Sequence, residues 1–305
     1  MTGAAPETAA AGNAGGMSLR FWGVRVSLAA PGPATVRYGG NTLCVELRCG
    51  PHLLILDAGT GLREFGVELS AAGLPLDADI LLSHTHLDHI CGLPFFAAMF
   101  DPEARIRFWA AHLAPPNGIA EALQLSWQHP LMPSMDAEFR AQLEFHDAVA
   151  GEDLSLHPGL NVATTALNHP GSATGFRVEW GGGCVCYITD TEHPADGPDR
   201  DLSRFVAGAD VLIYDASYTD AEYQSRVGWG HSTWNAGVGL ADAAAVGRLV
   251  LFHHDPAHDD AMMDEIGRAA ARRRPGSIVA REGMRLAVGV AAVPDVGRKR
   301  HGARR

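Results

Sequence analysis

Short apolar runs along the chain lead into polar residues that can bind metals or carry protons. Five such runs stand out: 53–56 before Asp57, 80–82 shortly before His84, 185–189 before Asp190, 211–214 before Asp215, and 249–252 before His253. Apolar runs of this length, bounded by polar or turn-forming residues, predict buried β-strands. We therefore expect one edge of a sheet sandwich to collect several acidic and histidine side chains.

Helical patterns separate these runs. Segments 119–128 and 235–246 predict helices, and 259–273 is amphipathic, with apolar side chains at helical spacing. Segment 101–150 is less regular, and two interpretations stay open for it. It is either a lid over the site or an insert packed on the sandwich.

The length and composition favour one domain. The chain has 305 residues, of which 47% are hydrophobic, so it can bury a large core. We expect the domain at 17–293, between a disordered tail at 1–16 and a basic tail at 294–305. No apolar run is long enough to span a bilayer, so we expect no membrane span, and the first residues lack the basic and apolar pattern expected of a secretory signal.

The net charge limits the partners that the protein is expected to bind, and the cysteines indicate its cellular compartment. The formal net charge of −11 argues against a broad polyanion-binding surface. The five cysteines are odd in number, and Cys184 and Cys186 alternate as strand residues do, which favours reduced structural thiols and a cytoplasmic location. A zinc role for this pair is the alternative, but no second cysteine pair completes a set of four ligands.

The cluster His84-Thr85-His86-Leu87-Asp88-His89 packs four potential metal ligands into six residues. It follows the mostly apolar segment 79–83, so it predicts a tight loop at the carboxyl end of a strand. One ion cannot comfortably take all four ligands from so short a loop, and imidazoles with a carboxylate suit zinc, manganese or iron rather than calcium. The cluster therefore indicates two adjacent ions. The alternative is a polar surface loop rich in histidine, which the further ligands downstream disfavour.

These motifs resemble those of the metallo-β-lactamase superfamily over roughly 19–290. His84-x-His86-x-Asp88-His89 is similar to its second motif and Asp57 to its first. His169, Asp190 and His253 fit its third, fourth and last motifs. The resemblance implies an α/β fold, a four-layer αββα metallo-β-lactamase sandwich, with a dinuclear metal site.

The resemblance also implies a ligand set for two divalent ions, with zinc favoured and manganese or iron as alternatives. One ion would be held by His84, His86 and His169, and the other by Asp88, His89 and His253. Asp190 would bridge the ions, and Asp57 would accept a hydrogen bond from a ligand histidine. Three alternatives remain: His254 as the last ligand in place of His253, His169 as a surface residue, and Asp190 as a strand-end cap.

Two further motifs are similar to those of the ribonuclease Z and phosphodiesterase branch. Gly230-His231-Ser232-Thr233 resembles its HST motif, and Asp215 in Tyr214-Asp215-Ala216-Ser217 stands where that branch has a glutamate. The resemblance implies that His231 protonates the leaving oxygen or binds the phosphate, and that Asp215 orients it. A structural carboxylate is the alternative for Asp215. Asp88 is counted among the catalytic residues as well as the ligands.

The resemblance implies a hydrolase that cleaves a small or nucleotide-type phosphodiester by attack of a metal-bound hydroxide. Ribonuclease Z carries a long tRNA-gripping arm between its third and fourth motifs, whereas about 20 residues separate His169 from Asp190 here, too few for that arm. We therefore expect a small-molecule or nucleotide substrate, no extended nucleic acid and no membrane partner, with a homodimer left open. The alternatives are a thioester or lactone hydrolase, a tRNA 3′-processing endonuclease, and a metal-binding sensor or scaffold, which would not need His231 and Asp215.

Overall fold

The computed structural model describes residues 16–73, 76–113, 116–133 and 135–289. The tails expected at 1–16 and 294–305 lie outside the described residues, apart from Gly16. The strands are β1 Met17–Gly23, β2 Cys44–Cys49, β3 His52–Leu56, β4 Asp77–Leu82, β5 Arg105–Ala110, β6 Gln142–Asp147, β7 Asp153–His157, β8 Leu160–Leu167, β9 Ala173–Trp180, β10 Gly183–Ile188, β11 Val211–Asp215, β12 Arg248–Phe252, β13 Ile278–Val279 and β14 Arg285–Val288. The α-helices are α1 Gly61–Ala72, α2 Leu87–Ile90, α3 Ile119–Trp127, α4 Arg200–Phe205, α5 Asp220–Tyr223, α6 Trp234–Ala243 and α7 Asp260–Arg273, and short 3₁₀ turns cover Leu93–Phe95, Ala97–Phe100 and Met135–Glu138.

The described strands form two sheets of seven. The first has the order β14-β1-β2-β3-β4-β5-β6, and its strands run parallel from β3 to β6. The second has the order β13-β12-β11-β10-β9-β8-β7, and its strands run parallel from β10 to β13. Parallel strands end at the same edge of a sheet, and in α/β folds that carboxyl edge is where ligands bind.

Apolar side chains from both sheets meet between them, including Phe21, Tyr187 and Phe252. A second apolar cluster joins the outer face of the first sheet to α1 and α3, and a third joins the outer face of the second sheet to α4, α6 and α7. Each sheet therefore buries both faces, which accounts for the continuous apolar runs of its parallel strands. The architecture is the expected four-layer αββα sandwich.

The structure confirms the strands predicted at the five apolar runs and the helices predicted at α3, α6 and α7, with end shifts of a few residues. Segment 101–150 is a packed part of the sandwich where it is described. Its strands β5 and β6 extend the first sheet, and α3 buries Leu123 and Trp127 against that sheet. The interpretation of this segment as a lid was therefore wrong.

All five cysteines are free thiols, and the burial of Cys44 and Cys49 raises the pKa of each thiol. The metal-capable side-chain clusters of the described residues contain no cysteine, so the structure gives no support to a zinc role for Cys184 and Cys186. In the part of the chain that is described, no helix combines the length and apolar character needed to cross a membrane.

Candidate metal centre

The carboxyl ends of strands from both sheets bring the candidate residues together. In the first sheet, Asp57 follows β3, and the histidine cluster follows β4 and runs into α2. In the second sheet, Asp190 follows β10, Asp215 ends β11 and His253 follows β12. Residues far apart in the sequence therefore share one edge of the sandwich.

His84, His86 and His169 form the first group of converging side chains. His84 Nε2 lies 2.8 Å from His86 Nδ1, and His169 Nε2 lies 3.2 Å from the same atom. One ligand atom from each of the three residues falls within 4.8 Å of the others. Three imidazole nitrogens brought this close suit a borderline-soft divalent cation.

Asp88, His89 and His253 form the second group, and it contains two orphaned polar atoms. His89 Nε2 lies 3.5 Å from Asp88 Oδ2, and the ligand atoms of all three residues fall within 4.8 Å of one another. His89 Nε2 and His253 Nε2 are fully buried and form no hydrogen bond of adequate geometry, although Asp190 Oδ2 lies 3.3 Å from the first and 3.1 Å from the second. Such an atom costs about 1–3 kcal/mol when nothing compensates it. A cation would satisfy both atoms, so the donor set fits a metal.

Asp190 lies between the two groups and presents one carboxylate oxygen to each. Its Oδ1 is 3.8 Å from His84 Nε2 and 4.0 Å from His169 Nε2. Its Oδ2 is 3.3 Å from His89 Nε2 and 3.1 Å from His253 Nε2. This split is the arrangement that a carboxylate needs in order to bridge two ions.

The electrostatics of the centre couple metal binding to proton release. Burial alone would raise the pKa of Asp190, but the adjacent His253, His89 and His84 outweigh it and hold that pKa well below its usual range. Burial disfavours charge on His253 as well, yet Asp190 and Asp215 raise the pKa of His253 to about 10. Because a ligand imidazole must be neutral, metal binding at His253 would release a proton.

Asp57 fixes the orientation of His89. Its Oδ2 accepts hydrogen bonds from His89 Nδ1 at 2.8 Å, Ser83 Oγ at 2.8 Å and Tyr187 OH at 2.7 Å. Its Oδ1 accepts the Ser83 backbone N–H at 2.8 Å. A carboxylate that holds Nδ1–H of a histidine leaves Nε2 as the free ligand atom, which is how metal-binding histidines are commonly oriented.

Asp215 holds His231 beside this centre. Asp215 Oδ2 lies 3.0 Å from His231 Nδ1 and 3.4 Å from His253 Nδ1, and its Oδ1 accepts the Ser217 hydroxyl at 2.7 Å. Burial opposes the charge of Asp215, but His253 and His231 keep its pKa below the usual range. His231 Nδ1 is 3.9 Å from Asp190 Oδ1, and its Nε2 is the ring nitrogen that Asp215 leaves free.

Of the two adjacent histidines after β12, only His253 faces the cluster. His254 Nε2 donates a hydrogen bond to the Ala280 carbonyl at 2.9 Å, and burial lowers the pKa of His254 to about 3. The backbone turn at His253, where φ is 68°, separates the directions of the two side chains.

Left-handed backbone conformations concentrate at the centre. Among the described non-glycine residues, φ is positive at Ser27 (58°), Asp57 (58°), Asp190 (50°) and His253 (68°), as well as at Ser172 and Ala245. Ser27 belongs to the centre because its backbone N–H donates to Asp88 Oδ2 at 2.7 Å. Such residues cost about 1–3 kcal/mol each and persist where the surrounding structure determines them. The backbone at these positions is therefore held in a conformation that directs the side chains of Asp57, Asp190 and His253 toward the centre.

Sequence reasoning missed several neighbours of the centre. His112 and His193 lie in no recognisable motif, so the sequence gives no reason to place them at the centre. In the structure, His112 Nε2 lies 3.2 Å from Thr85 Oγ1, and His193 Nδ1 lies 2.8 Å from Ser232 Oγ. The available signal for His112 was its position just after β5, at the same edge as the other residues.

Known proteins resemble the chain in sequence and in fold. A family model described as "Beta-lactamase superfamily domain" matches residues 52–254. A protein named Ribonuclease Z from Mycobacterium bovis is 28% identical over 275 residues, which cover 82% of this chain and 91% of that protein. The metallo-beta-lactamase fold protein YhfI from Bacillus subtilis is 18% identical with a TM-score of 0.65, over 89% of this chain and 99% of that one. The short form of human tRNase Z is 19% identical with a TM-score of 0.63, over 90% of this chain and 100% of that one.

Proposed function

Because the chain belongs to the metallo-β-lactamase superfamily and is a metal-dependent hydrolase, we propose that it uses two divalent ions to cleave a small or nucleotide-type phosphodiester. One observation carries the proposal. The paired side chains of His231 and Asp215, 3.0 Å apart, lie directly beside a cluster of histidines and carboxylates centred on Asp190. A proton donor next to two cations is what hydrolysis of a diester with a poor leaving group requires.

We propose the two groups as two metal sites that share Asp190. One ion would be held by His84, His86 and His169, and the other by Asp88, His89 and His253. The separate approach of Asp190 Oδ1 and Oδ2 to the two groups supports the bridge. The mixture of imidazoles and carboxylates supports zinc as the metal, with manganese or iron as substitutes.

The chain's own residues would supply binding and proton transfer. When bound, the ions would acidify a water molecule and neutralise charge on the phosphate oxygens. His231 gives the proton on Nε2 to the leaving oxygen while its Nδ1–H stays bound to Asp215. Asp57 keeps His89 in the tautomer that presents Nε2 to the centre. Asp88 would contribute to catalysis as the carboxylate that holds the second ion together with His89 and His253.

Cleavage of tRNA precursors is the second candidate, since the Mycobacterium bovis relative that covers most of the chain is named Ribonuclease Z. That likeness conflicts in part with the expectation that extended nucleic acid is not a substrate. Two observations favour small diesters. The formal net charge is −11, and the residues between His169 and Asp190 form β9 and β10, which pair in the sheet and leave no arm. Phosphate contacts dominate nucleic-acid affinity, so an acidic surface without an arm is a poor match.

A substrate panel tests the proposal. Purified protein loaded with zinc or manganese is assayed with bis-nitrophenyl phosphate, a cyclic nucleotide, precursor tRNA, a thioester and a lactone. We expect hydrolysis of the small diesters, and in His231→Ala a large fall in turnover of the cyclic nucleotide with a smaller fall for bis-nitrophenyl phosphate. Efficient cleavage of precursor tRNA without small-diester activity would establish the second candidate instead. Turnover of only the thioester or lactone would overturn the phosphodiesterase assignment.

The remaining proposals concern organisation. We propose that the domain spans 17–293 and that the protein works in the cytoplasm, which its free thiols support. A homodimer is the assembly to test first, by light scattering of the metal-loaded protein.

A further inference from the structure

A loop at the edge of the centre exposes a tryptophan. Trp229 is 60% exposed, and it lies in 224–230, between α5 and His231. The carbonyl of the next residue, Gly230, accepts a hydrogen bond from His169 Nδ1 at 2.9 Å. The exposed indole is therefore one residue from a group that touches the proposed metal ligands. A large aromatic side chain exposed at such a place marks a binding surface more often than an exposed aliphatic one does.

The loop is firmly held by Glu192. Its carboxylate accepts the backbone N–H groups of Gly228 at 2.8 Å and Gly230 at 3.0 Å, as well as the Tyr223 hydroxyl at 2.9 Å. A Cβ at Gly230 would lie 2.4 Å from His169 Nδ1, so the loop packs directly against that histidine. Trp229 is thus presented to solvent by an anchored loop.

Arg226 adds a cation on the same loop. Its guanidinium lies 4.9 Å from the centroid of the Tyr218 ring and 5.7 Å from that of Trp229. The Tyr218 ring lies 6.0 Å from the His231 ring. The Arg226 guanidinium therefore lies near both the exposed indole and a tyrosine next to the histidine that would protonate the leaving group.

Two exposed leucines are also neighbours of residues in the centre. Leu87, between His86 and Asp88 in the ligand loop, is 70% exposed. Leu28 is 69% exposed and follows Ser27, whose N–H donates to Asp88. Exposed apolar and aromatic side chains are thus found next to residues of the centre, which suits a substrate with a hydrophobic group next to its phosphate.

We propose that Trp229 and Arg226 form an aromatic-binding subsite, in which a nucleobase or a comparable aromatic ring of the substrate stacks on Trp229. Arg226 contributes a cation that stacks beside the ring. This inference rests on the proposed function for the phosphate's position, and it adds the substrate class, an aromatic or nucleoside phosphodiester. Stacking on an aromatic side chain tolerates any base because every base has a π-face.

The test measures binding without turnover. Zinc-loaded protein is titrated calorimetrically with adenosine 5′-monophosphate and with ribose 5-phosphate, which share the phosphate and sugar but differ in the base. We expect the wild type to bind the nucleotide about tenfold or more tightly than the sugar phosphate, a typical contribution of one base stack. Trp229→Ala should lose that preference and Trp229→Phe should keep most of it. Leu125→Ala removes a similarly exposed apolar side chain on the outer helix α3 and should change nothing.

The outcomes separate this inference from the proposed function. Equal affinity of the wild type for both ligands, or an unchanged preference in Trp229→Ala, would overturn the subsite. Diester hydrolysis without a base preference would keep the function and reject the subsite. A base preference without diester hydrolysis would keep the subsite and reject the proposed function. Equal wild-type affinities alone would overturn the subsite, so the inference can fail even where a variant does not fold.

Discussion

Replacing Asp57 by asparagine should weaken metal binding, although Asp57 is not itself a proposed metal ligand. Asp57 Oδ2 accepts bonds from His89, Ser83 and Tyr187 at 2.7–2.8 Å. Asparagine offers one acceptor oxygen and one donor nitrogen, and the oxygen is required at the Oδ1 position because the Ser83 backbone N–H there can only donate. The amide nitrogen then stands at the Oδ2 position and faces three donors. The hydroxyls of Ser83 and Tyr187 can rotate to accept, but His89 can accept at Nδ1 only by moving its proton to Nε2. That tautomer cannot bind a metal through Nε2.

The expected loss is about 10- to 100-fold in affinity at the site of His89, the usual cost of removing such a partner. The assay is zinc competition against a chromophoric chelator, and Asp79→Asn is the matched control. Asp79 is also a buried carboxylate of the first sheet, but it lies on β4 among Arg107, Trp109 and His157. The control should lower stability and leave zinc affinity unchanged. Wild-type zinc affinity in Asp57→Asn would refute the reasoning.

Three further predictions follow from the same geometry. Asp190→Asn should impair both metal sites at once, so elemental analysis should show loss of both ions; retention of one tightly bound ion would contradict the bridge. His231→Ala should keep its metal content while kcat falls by about 10²–10⁴, and less for nitrophenyl leaving groups, which need little protonation; loss of metal would show that His231 is a ligand. Burial would raise the pKa of Asp79, but Arg107, His157 and Trp109 outweigh burial and lower that pKa below its usual 3.8. The ionised Asp79 carboxylate therefore stabilises the fold above about pH 4, and this stabilisation is lost as the pH falls through the folded-state pKa. Urea unfolding of Asp79→Asn should therefore show a deficit of about 2–3 kcal/mol at pH 7 that narrows below pH 4; a constant deficit would contradict the ion pair.

Most of the fold could be predicted from the local pattern of apolar and polar residues. Apolar runs such as 249–252 are buried on both faces of the second sheet, so their hydrophobicity predicted strands directly. Segment 101–150 was harder to predict because β5 depends on pairing with β4 and β6 on pairing with β5, which are contacts between residues far apart in the chain. Short strands that form through such pairing carry only a weak local signal.

The candidate site could likewise be predicted only where its residues lie in local sequence motifs. His84 to His89 lie in one compact motif, and Asp190 and His253 follow recognisable strands, so the sequence could place them at one edge. Glu192 and His112 could not be placed, because each reaches the centre through contacts with residues distant in the sequence. The assignment of each ligand to one ion stays a prediction.

Metal-dependent turnover tests the central claim most directly. Metal-free protein is titrated with zinc while hydrolysis of bis-nitrophenyl phosphate is followed. The account predicts that activity rises to a plateau at two ions per chain and that Asp190→Asn never reaches it. A plateau at one ion, or no hydrolysis at any zinc content, would contradict a dinuclear phosphodiesterase.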